Sequence, residues 1–119
     1  MKILLLEDDI LLNEAITQYL FGVGHEITPV RDGNVCLELL CKQTFDLLIL
    51  DINVPNINGL SIVEKLHAMK KAVPVIFIST LIDIEDISKA FELGCFDYLK
   101  KPFHLKELSL RINKISQNT

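Results

Sequence analysis

The chain has 119 residues, of which 50% are hydrophobic and 24% charged, and its formal net charge is -4. This length suits one domain with a single core, while the composition argues against a disordered or fibrous chain and the acidic balance against a nucleic-acid surface. The longest apolar runs are far shorter than the roughly 18 residues of a membrane span and no signal-peptide pattern is present, so we expect a cytoplasmic protein without membrane contact.

Three strands and two helices are predicted in the first half of the chain. Each strand is a short apolar run of the kind that lies buried in a parallel sheet, and the helices carry apolar residues at helical spacing. The predicted strands are residues 2–6, 25–30 and 45–50. The helices follow Asp9 and Asp32, whose side chains can cap a helix N-terminus.

The second half continues the alternation after residues 52–59, whose Pro, Asn and Gly content predicts a loop. Helices are predicted around residues 60–69, 84–93 and 104–115, and strands at residues 74–78 and 96–99. Five alternations of strand and helix with short connections predict an α/β fold, an open parallel sheet with helices on both faces. We expect residues 1–119 to form this one domain.

Acids, hydroxyls and a lysine stand where the predicted strands end. In order, these residues are Glu7, Asp8, Asp9, Asp51, Ser79, Thr80 and Lys101. Open α/β sheets bind ligands beyond the carboxyl ends of their strands. Since neighbouring strands lie about 5 Å apart, the carboxylates must share a small volume. Two carboxylates at that distance repel by about 3 kcal/mol at an effective dielectric of about 20, so a positive charge is expected between them.

A hard divalent cation suits such a cluster. Oxygen ligands are those that Mg²⁺ prefers, and Mg²⁺ keeps waters and bridges to phosphoryl groups. Lys101 supplies a second positive charge, and the Ser79 hydroxyl with the N–H groups of the Ser79-Thr80 turn can bind phosphate oxygens. These residue types predict phosphoryl transfer, with Asp51 as the nucleophile that forms an aspartyl phosphate.

The chain resembles the receiver family of bacterial two-component response regulators over essentially its whole length. The motifs that carry the resemblance are Glu7-Asp8, the segment 50–55 around Asp51, Gly59, the hydroxyl after the strand 74–78, and Tyr98-Leu99-Lys100-Lys101-Pro102-Phe103. Each motif falls at a predicted strand end, in the order that the family has. The resemblance implies a doubly wound, flavodoxin-like (βα)5 sheet of five parallel strands in the order 2-1-3-4-5.

The resemblance also implies a magnesium site. Asp51 corresponds to the phosphoacceptor and Asp8 to a direct Mg²⁺ ligand. Glu7 corresponds to an acid that acts largely through water, and Asn53 to a residue that binds the ion through its backbone carbonyl. Mg²⁺ is therefore the expected cofactor.

Phosphate-binding and switch roles follow from the same resemblance. Ser79, Thr80, Lys101 and Asn53 correspond to residues around the phosphoryl group, with Lys101 as its pairing lysine. Ser79 corresponds to the switch hydroxyl and Tyr98 to the aromatic switch residue, which turns inward when the hydroxyl moves toward phosphate. A shift of one residue in strand register would exchange Ser79 with Thr80. The peptide bond before the proline that follows Lys101 is cis in the family.

In this family a sensor histidine kinase donates the phosphoryl group, and the domain catalyses only its own phosphorylation and dephosphorylation. The resemblance to receivers of winged-helix transcription factors implies a separate DNA-binding output domain. Asp97, Glu107 and Arg111 resemble residues of the salt bridges that join such receivers into dimers through the fourth helix, fifth strand and fifth helix. Ile87 and Phe96 stand where an arginine and an aspartate are common, which weakens the expectation of a homodimer.

Three alternatives remain open. A stand-alone receiver acting through protein contact, as in chemotaxis, would have the same motifs. A Mg²⁺-dependent phosphatase with an aspartate nucleophile usually has a second aspartate two residues later, where Asn53 stands. A degenerate receiver would not need the complete set of acids, hydroxyl and lysine.

Leu81 offers no carboxylate or amide to orient a hydrolytic water, which predicts slow loss of the phosphoryl group.

Overall fold

Five parallel strands, each followed by an α-helix, form the structure, a computed structural model that describes residues 1–80 and 83–117. The elements are, in chain order, β1 Lys2–Leu6, α1 Ile10–Gly22, β2 Glu26–Val30, α2 Gly33–Lys42, β3 Leu47–Asp51, α3 Gly59–Ala68, β4 Val75–Ser79, α4 Ile84–Glu92, β5 Asp97–Lys100 and α5 Leu105–Gln117. The predicted alternation is confirmed. Within the described residues, no helix has the length and apolar character needed to cross a bilayer.

The strands are arranged in the order β2-β1-β3-β4-β5, and every neighbouring pair is parallel. The order that the resemblance implied is therefore confirmed. Leu6 at the end of β1 lies opposite Leu50, and Ser79 at the end of β4 lies opposite Lys100. The carboxyl ends of the central strands thus meet at one edge of the sheet, beside the point between β1 and β3 where the strand order reverses.

The core has two layers because successive residues of each central strand face opposite sides of the sheet. Leu4 and Leu6 belong to the layer under α2 and α3, whereas Ile3 and Leu5 belong to the layer under α1 and α5. All five residues of β3 are buried. Full burial of a Leu or Ile side chain stabilises a fold by about 1.5–3 kcal/mol, so these strands form a rigid support for the residues at their ends.

The predicted helix caps are confirmed. The side chain of Asp9 accepts hydrogen bonds from the backbone of α1, and that of Asp32 accepts them from the backbone of α2. Gly94 follows α4 with a φ of 77°, a left-handed conformation in which glycine carries no steric penalty.

The start of β3 differs from the prediction. The strand begins at Leu47 rather than at residue 45. Just before it, the Asp46 N–H donates to Lys2 O and the Asp46 carboxylate accepts from the Lys2 N–H, each at 2.7 Å.

Candidate functional site

Three carboxylates meet at the carboxyl edge of the sheet. Glu7 and Asp8 follow β1 and Asp51 ends β3, and one oxygen of each lies within 4.8 Å of the others. Glu7 is completely buried and Asp51 is 3% exposed, whereas Asp8 is open to solvent. The cluster is therefore buried on the side of Glu7 and Asp51 and open to solvent at Asp8, where a ligand can enter.

The Lys101 ammonium lies between two of these carboxylates. Its Nζ is 2.5 Å from Glu7 Oε1 and 2.8 Å from Asp51 Oδ2. The lysine is positioned by β4, since its backbone N–H donates to Ser79 O at 2.9 Å. The peptide bond between Lys101 and Pro102 is cis, as the resemblance implied. Residues from three strand ends that lie far apart in sequence are thereby brought into one charged cluster.

Burial and neighbouring charges set the protonation of this cluster. Burial raises the pKa of Glu7 to about 7, and the nearby Asp51 charge adds to that effect, while hydrogen bonds from Lys101 and the Asp9 N–H act against it. Burial acts to lower the pKa of Lys101, but its hydrogen bonds to Asp51 and Glu7 outweigh burial and raise that pKa. The lysine is therefore cationic at neutral pH.

The cluster fits a magnesium ion. One ammonium offsets only one of three carboxylates, and the oxygens available are hard donors of the kind that Mg²⁺ binds. The exposure of Asp8 leaves room for the waters that Mg²⁺ usually retains. Glu7, Asp8 and Asp51 are thus compatible with this ion both in charge and in ligand chemistry.

The Asp51 carboxylate is oriented by hydrogen bonds to both of its oxygens. Oδ1 accepts from the Asn53 N–H at 3.1 Å and Oδ2 accepts from Lys101 at 2.8 Å. The backbone behind it allows no side chain at Gly59, where a Cβ atom would lie 2.7 Å from Asp51 O. Helix α3 begins at this glycine, so its start packs directly on the backbone of the nucleophile candidate.

The two predicted switch residues are in contact. Ser79 is the last residue of β4 and is completely buried, and its side chain is hydrogen-bonded to the half-buried Tyr98 of β5. Burial raises the pKa of Tyr98, and the hydrogen bond with Ser79 works in the opposite direction. Thr80, the other hydroxyl that the sequence left open, is exposed beyond the strand. The prediction for residue 81 lies outside the described residues.

Asn13 is a buried polar residue that the sequence reasoning missed. Its Nδ2 donates to Glu7 O at 2.9 Å and to Val30 O at 3.2 Å, which ties the ends of β1 and β2 together beneath the acidic cluster. The available signal was its spacing: Asn13, Ile16 and Leu20 lie on the same buried face of α1. The polar groups of a buried asparagine are usually hydrogen-bonded, and here they connect the ends of two strands. Asn13 therefore has a structural role.

The three residues with resemblance to dimer salt bridges pair with one another within this chain. Arg111 of α5 lies 2.7 Å from Asp97 Oδ2 and 3.2 Å from Glu107 Oε1. On α4 and α5, three large apolar side chains are more than half exposed, namely Ile84, Phe91 and Leu110. We call α4, β5 and α5 the α4-β5-α5 face; it combines internally paired charges with exposed apolar residues.

An open groove of about 530 Å³ lies beside the carboxylates, between the start of α1 and the turn after β5. Its lining includes Leu11, Lys101 and Phe103. Leu11 is 78% exposed, so an apolar surface stands next to the charged cluster.

Comparisons with known proteins agree with this geometry. A family model described as the response regulator receiver domain matches residues 3–113. The transcriptional regulatory protein CrdR of Helicobacter pylori is 42% identical over 114 residues, covering 95% of this chain and 54% of CrdR. The transcriptional regulatory protein CusR of Escherichia coli is 36% identical over 115 residues, covering 97% of this chain and 51% of CusR. The chain thus spans about half the length of these curated relatives.

Solved structures share the fold. The receiver domain of Francisella response regulator 1452 has a TM-score of 0.92 at 29% identity, covering 98% of this chain and 97% of that one. The response regulator TrrA of Thermotoga maritima, in complex with Mg²⁺ and BeF, has a TM-score of 0.84 at 27% identity, covering 97% of this chain and 99% of that one. With the family model matching nearly the whole sheet and the charged cluster at its edge, the chain belongs to the response regulator receiver domain family.

Proposed function

We propose that residues 1–119 are one phosphoaccepting receiver domain, and that Asp51 accepts a phosphoryl group from a sensor histidine kinase. The observation that carries this proposal is the orientation of the Asp51 carboxylate, which is held by Lys101 and the Asn53 N–H inside a cluster of acids. Receiver domains are signalling proteins rather than classical enzymes. The reaction proposed here is accordingly confined to the domain's own phosphorylation and dephosphorylation.

The transfer exchanges one bond to phosphorus for another. A carboxylate oxygen of Asp51 forms a bond to phosphorus while the bond from phosphorus to the kinase histidine nitrogen breaks, and that nitrogen keeps the electron pair. Phosphoryl transfer depends mainly on positioning and on charge neutralisation. Lys101, already 2.8 Å from Asp51, supplies a fixed positive charge, and Ser79 and Thr80 offer hydrogen bonds to phosphoryl oxygens.

Receiver domains bind Mg²⁺ at an acidic pocket, and the donors here fit that ion. We infer that Asp8, Asp51 and the Asn53 carbonyl hold Mg²⁺ directly and that Glu7 acts through water. When bound, Mg²⁺ supplies neutralisation of charge on the phosphoryl oxygens. Lys101 and Mg²⁺ together would offset the repulsion that an incoming phosphoryl group meets at three carboxylates.

The switch proposed for the domain uses the hydrogen-bonded pair Ser79 and Tyr98. A phosphoryl group on Asp51 competes with Tyr98 for the Ser79 hydroxyl, so the two states of the domain differ in the partner of Ser79. This difference biases the α4-β5-α5 face, of which Tyr98 is a part, toward one of two arrangements.

Partners follow from the surfaces beside the site. The groove that contains Leu11 and Phe103 lies next to Lys101, which suits the approach of an apolar kinase surface carrying the phosphohistidine. A cytoplasmic location follows from that partner.

CrdR and CusR are transcriptional regulators about twice as long as this chain, which supports a separate DNA-binding output domain. The exposed apolar residues of the α4-β5-α5 face support a homodimer.

Intact mass spectrometry tests the phosphoacceptor. We expect the chain to gain one phosphoryl group from acetyl phosphate in the presence of Mg²⁺, and Asp51→Asn to gain none because the amide is not a nucleophile. Excess EDTA serves as the control for the ion, and circular dichroism checks the fold of the variant. Equal labelling of Asp51→Asn, or no labelling of the native chain at any Mg²⁺ concentration, would overturn the proposal.

A further inference from the structure

The loop that follows the phosphoacceptor is attached to a second segment far from it in sequence. The Gly33 N–H donates to Pro55 O at 3.3 Å, and the side-chain amide of Asn56 donates to the Asp32 carboxylate. A Cβ atom at Gly33 would lie 1.9 Å from Ile57 O, so the two backbones approach as closely as a glycine allows. We call this contact of Asp32-Gly33 with residues 55–57 the loop clamp.

Asp32 serves two structures with separate oxygens. Its Oδ1 caps α2 by accepting from the N–H groups of Asn34 and Val35, at 2.7 and 3.3 Å. Its Oδ2 is the atom that binds Asn56. A helix cap needs only one acceptor oxygen, as Asp83 illustrates at α4, where Oδ1 accepts from the Glu85 N–H at 2.9 Å. The second oxygen of Asp32 is therefore directed to the loop.

Asn56 has the backbone conformation that this contact requires. Its φ is 71°, in the left-handed region that asparagine tolerates better than most residues because its side chain can bond locally. Here the amide bonds across to Asp32, 24 positions earlier, rather than to its own backbone. The conformation and the contact thus act together to hold the outer end of the loop.

The inner end of the same loop is the phosphoryl site. The Asn53 N–H binds Asp51 Oδ1 at 3.1 Å, and the Ile52 N–H binds Ile78 O at 3.2 Å in the neighbouring strand. Between the Asn53 N–H and the loop clamp lie only the rest of Asn53 and Val54, and Pro55, the first loop residue of the clamp, has a fixed φ. Few backbone torsions remain free, so the clamp helps to determine the direction of the Asn53 carbonyl.

We propose that Asp32, Gly33 and Asn56 are positioning residues for the cation, acting through the loop that carries the Asn53 carbonyl. This inference rests on the proposed function, in which that carbonyl is a Mg²⁺ ligand. Without the clamp, the loop samples other arrangements, and the bound state must select the one in which the carbonyl faces the ion. Metal affinity then falls because the competent arrangement is only partly populated.

Two variants separate the clamp from the helix cap. Asp32→Ser keeps one oxygen for the N-terminus of α2 but loses the oxygen that binds the loop, whereas Asn56→Gly keeps the left-handed backbone and loses the amide. Asp83→Ser is the matched control, since it changes a cap of the same type whose hydrogen bond, among the described residues, goes to Glu85 of its own helix. The double variant of Asp32 and Asn56 tests whether the two act through one contact.

Mg²⁺ affinity is measured by titration of amide resonances in NMR spectra, and stability by urea unfolding. We expect Asp32→Ser and Asn56→Gly each to weaken Mg²⁺ binding about threefold to tenfold, somewhat below the loss caused by changing a partner of a metal ligand directly. The double variant should lose no more than the weaker-binding single variant. Labelling by acetyl phosphate at saturating Mg²⁺ should stay within about twofold of the native rate, because the clamp affects occupancy rather than the transfer itself.

Three results would overturn this inference. Native Mg²⁺ affinity in both variants would show that the clamp does not position the carbonyl. Equal weakening by Asp83→Ser would assign the effect to helix capping. Multiplicative losses in the double variant would mean that Asp32 and Asn56 act separately. If Asp32→Ser does not fold, Asn56→Gly decides, since it leaves the cap intact. A native chain that binds no Mg²⁺ and takes up no phosphoryl group would instead contradict the proposed function itself.

Discussion

At the scale of single residues, Gly59 determines how closely α3 can approach the phosphoacceptor. A Cβ atom there would lie 2.7 Å from Asp51 O, a distance that real Cβ atoms essentially never show, and the obstacle is backbone rather than a flexible side chain. We expect Gly59→Ala to destabilise the domain by about 1–3 kcal/mol, the usual cost of overpacking. Because relief of the clash moves Asp51 or the start of α3, phosphorylation should also slow severalfold.

Urea unfolding and acetyl phosphate labelling measure the two effects of Gly59→Ala. Gly22→Ala is the control, because nothing lies within 4 Å of a Cβ at that helical position. The control should be neutral or stabilise by up to about 1 kcal/mol and should label normally. A Gly59→Ala variant as stable and as reactive as the control would contradict the close contact.

The site residues could be predicted where they follow directly from the positions of the strand ends. Glu7, Asp51 and Lys101 could be grouped because parallel strands end at the same edge, and the structure brings their side chains together. The contact of Asn56 with Asp32 escaped notice, since it joins two loops whose relative position depends on the packed sheet rather than on local sequence. The switch roles of Ser79 and Tyr98 came from family resemblance. The hydrogen bond between them was not predicted, as no local pattern indicates a side-chain contact between strands.

At the scale of elements, the residue that follows the C-terminal cap of α3 is poorly suited to its backbone conformation. Lys70 follows the helix with a φ of 57°, whereas Gly24 and Gly94 occupy left-handed positions after α1 and α4. A lysine there pays a steric cost of about 1 kcal/mol that glycine avoids. We expect Lys70→Gly to stabilise the domain by about 0.5 kcal/mol, since the greater freedom of glycine in the unfolded chain cancels part of the gain.

Lys65→Gly is the control, and we expect it to lower the free energy of unfolding, whereas Lys70→Gly raises it. Lys65 is exposed in the interior of α3, where glycine costs about 1 kcal/mol. Both variants remove one exposed lysine, so the difference between them isolates the backbone term. Urea unfolding at fixed pH and salt measures it. A destabilised Lys70→Gly variant would mean that its side chain contributes more than the conformation costs.

Elements were predictable to the extent that their signals are local. Asp9 and Asp32 cap their helices as expected because capping involves residues two or three positions apart. The start of β3 was not predictable from periodicity, since Asp46 next to it makes its hydrogen bonds to Lys2, 44 positions earlier. A contact of that range is decided by the neighbouring strand.

At the scale of the whole molecule, the alternation of strands and helices was enough to predict a parallel sheet covered on both faces. It was not enough to predict the order β2-β1-β3-β4-β5, because right-handed crossovers allow several orders for five strands. The order came from the strand-end motifs and the family they resemble. It matters for function, since only the reversal between β1 and β3 brings Glu7 beside Asp51 and within reach of Lys101.

The α4-β5-α5 face yields the last prediction. Its charged residues Asp97 and Arg111 already pair within one chain, and Phe91 is 59% exposed there, so we expect a second chain to be held mainly by apolar contact. We expect the phosphorylated chain to form a dimer whose affinity changes little between low and high salt, and Phe91→Glu to abolish that dimer without slowing phosphorylation, since burial of a charge at an interface is costly. Sedimentation equilibrium at several salt concentrations measures both effects.

Phe21→Glu is the control, because Phe21 is 74% exposed on α1, outside this face. A dimer that dissociates steeply with salt would assign the contact to ion pairs between chains, and one that persists in Phe91→Glu would locate it on another surface.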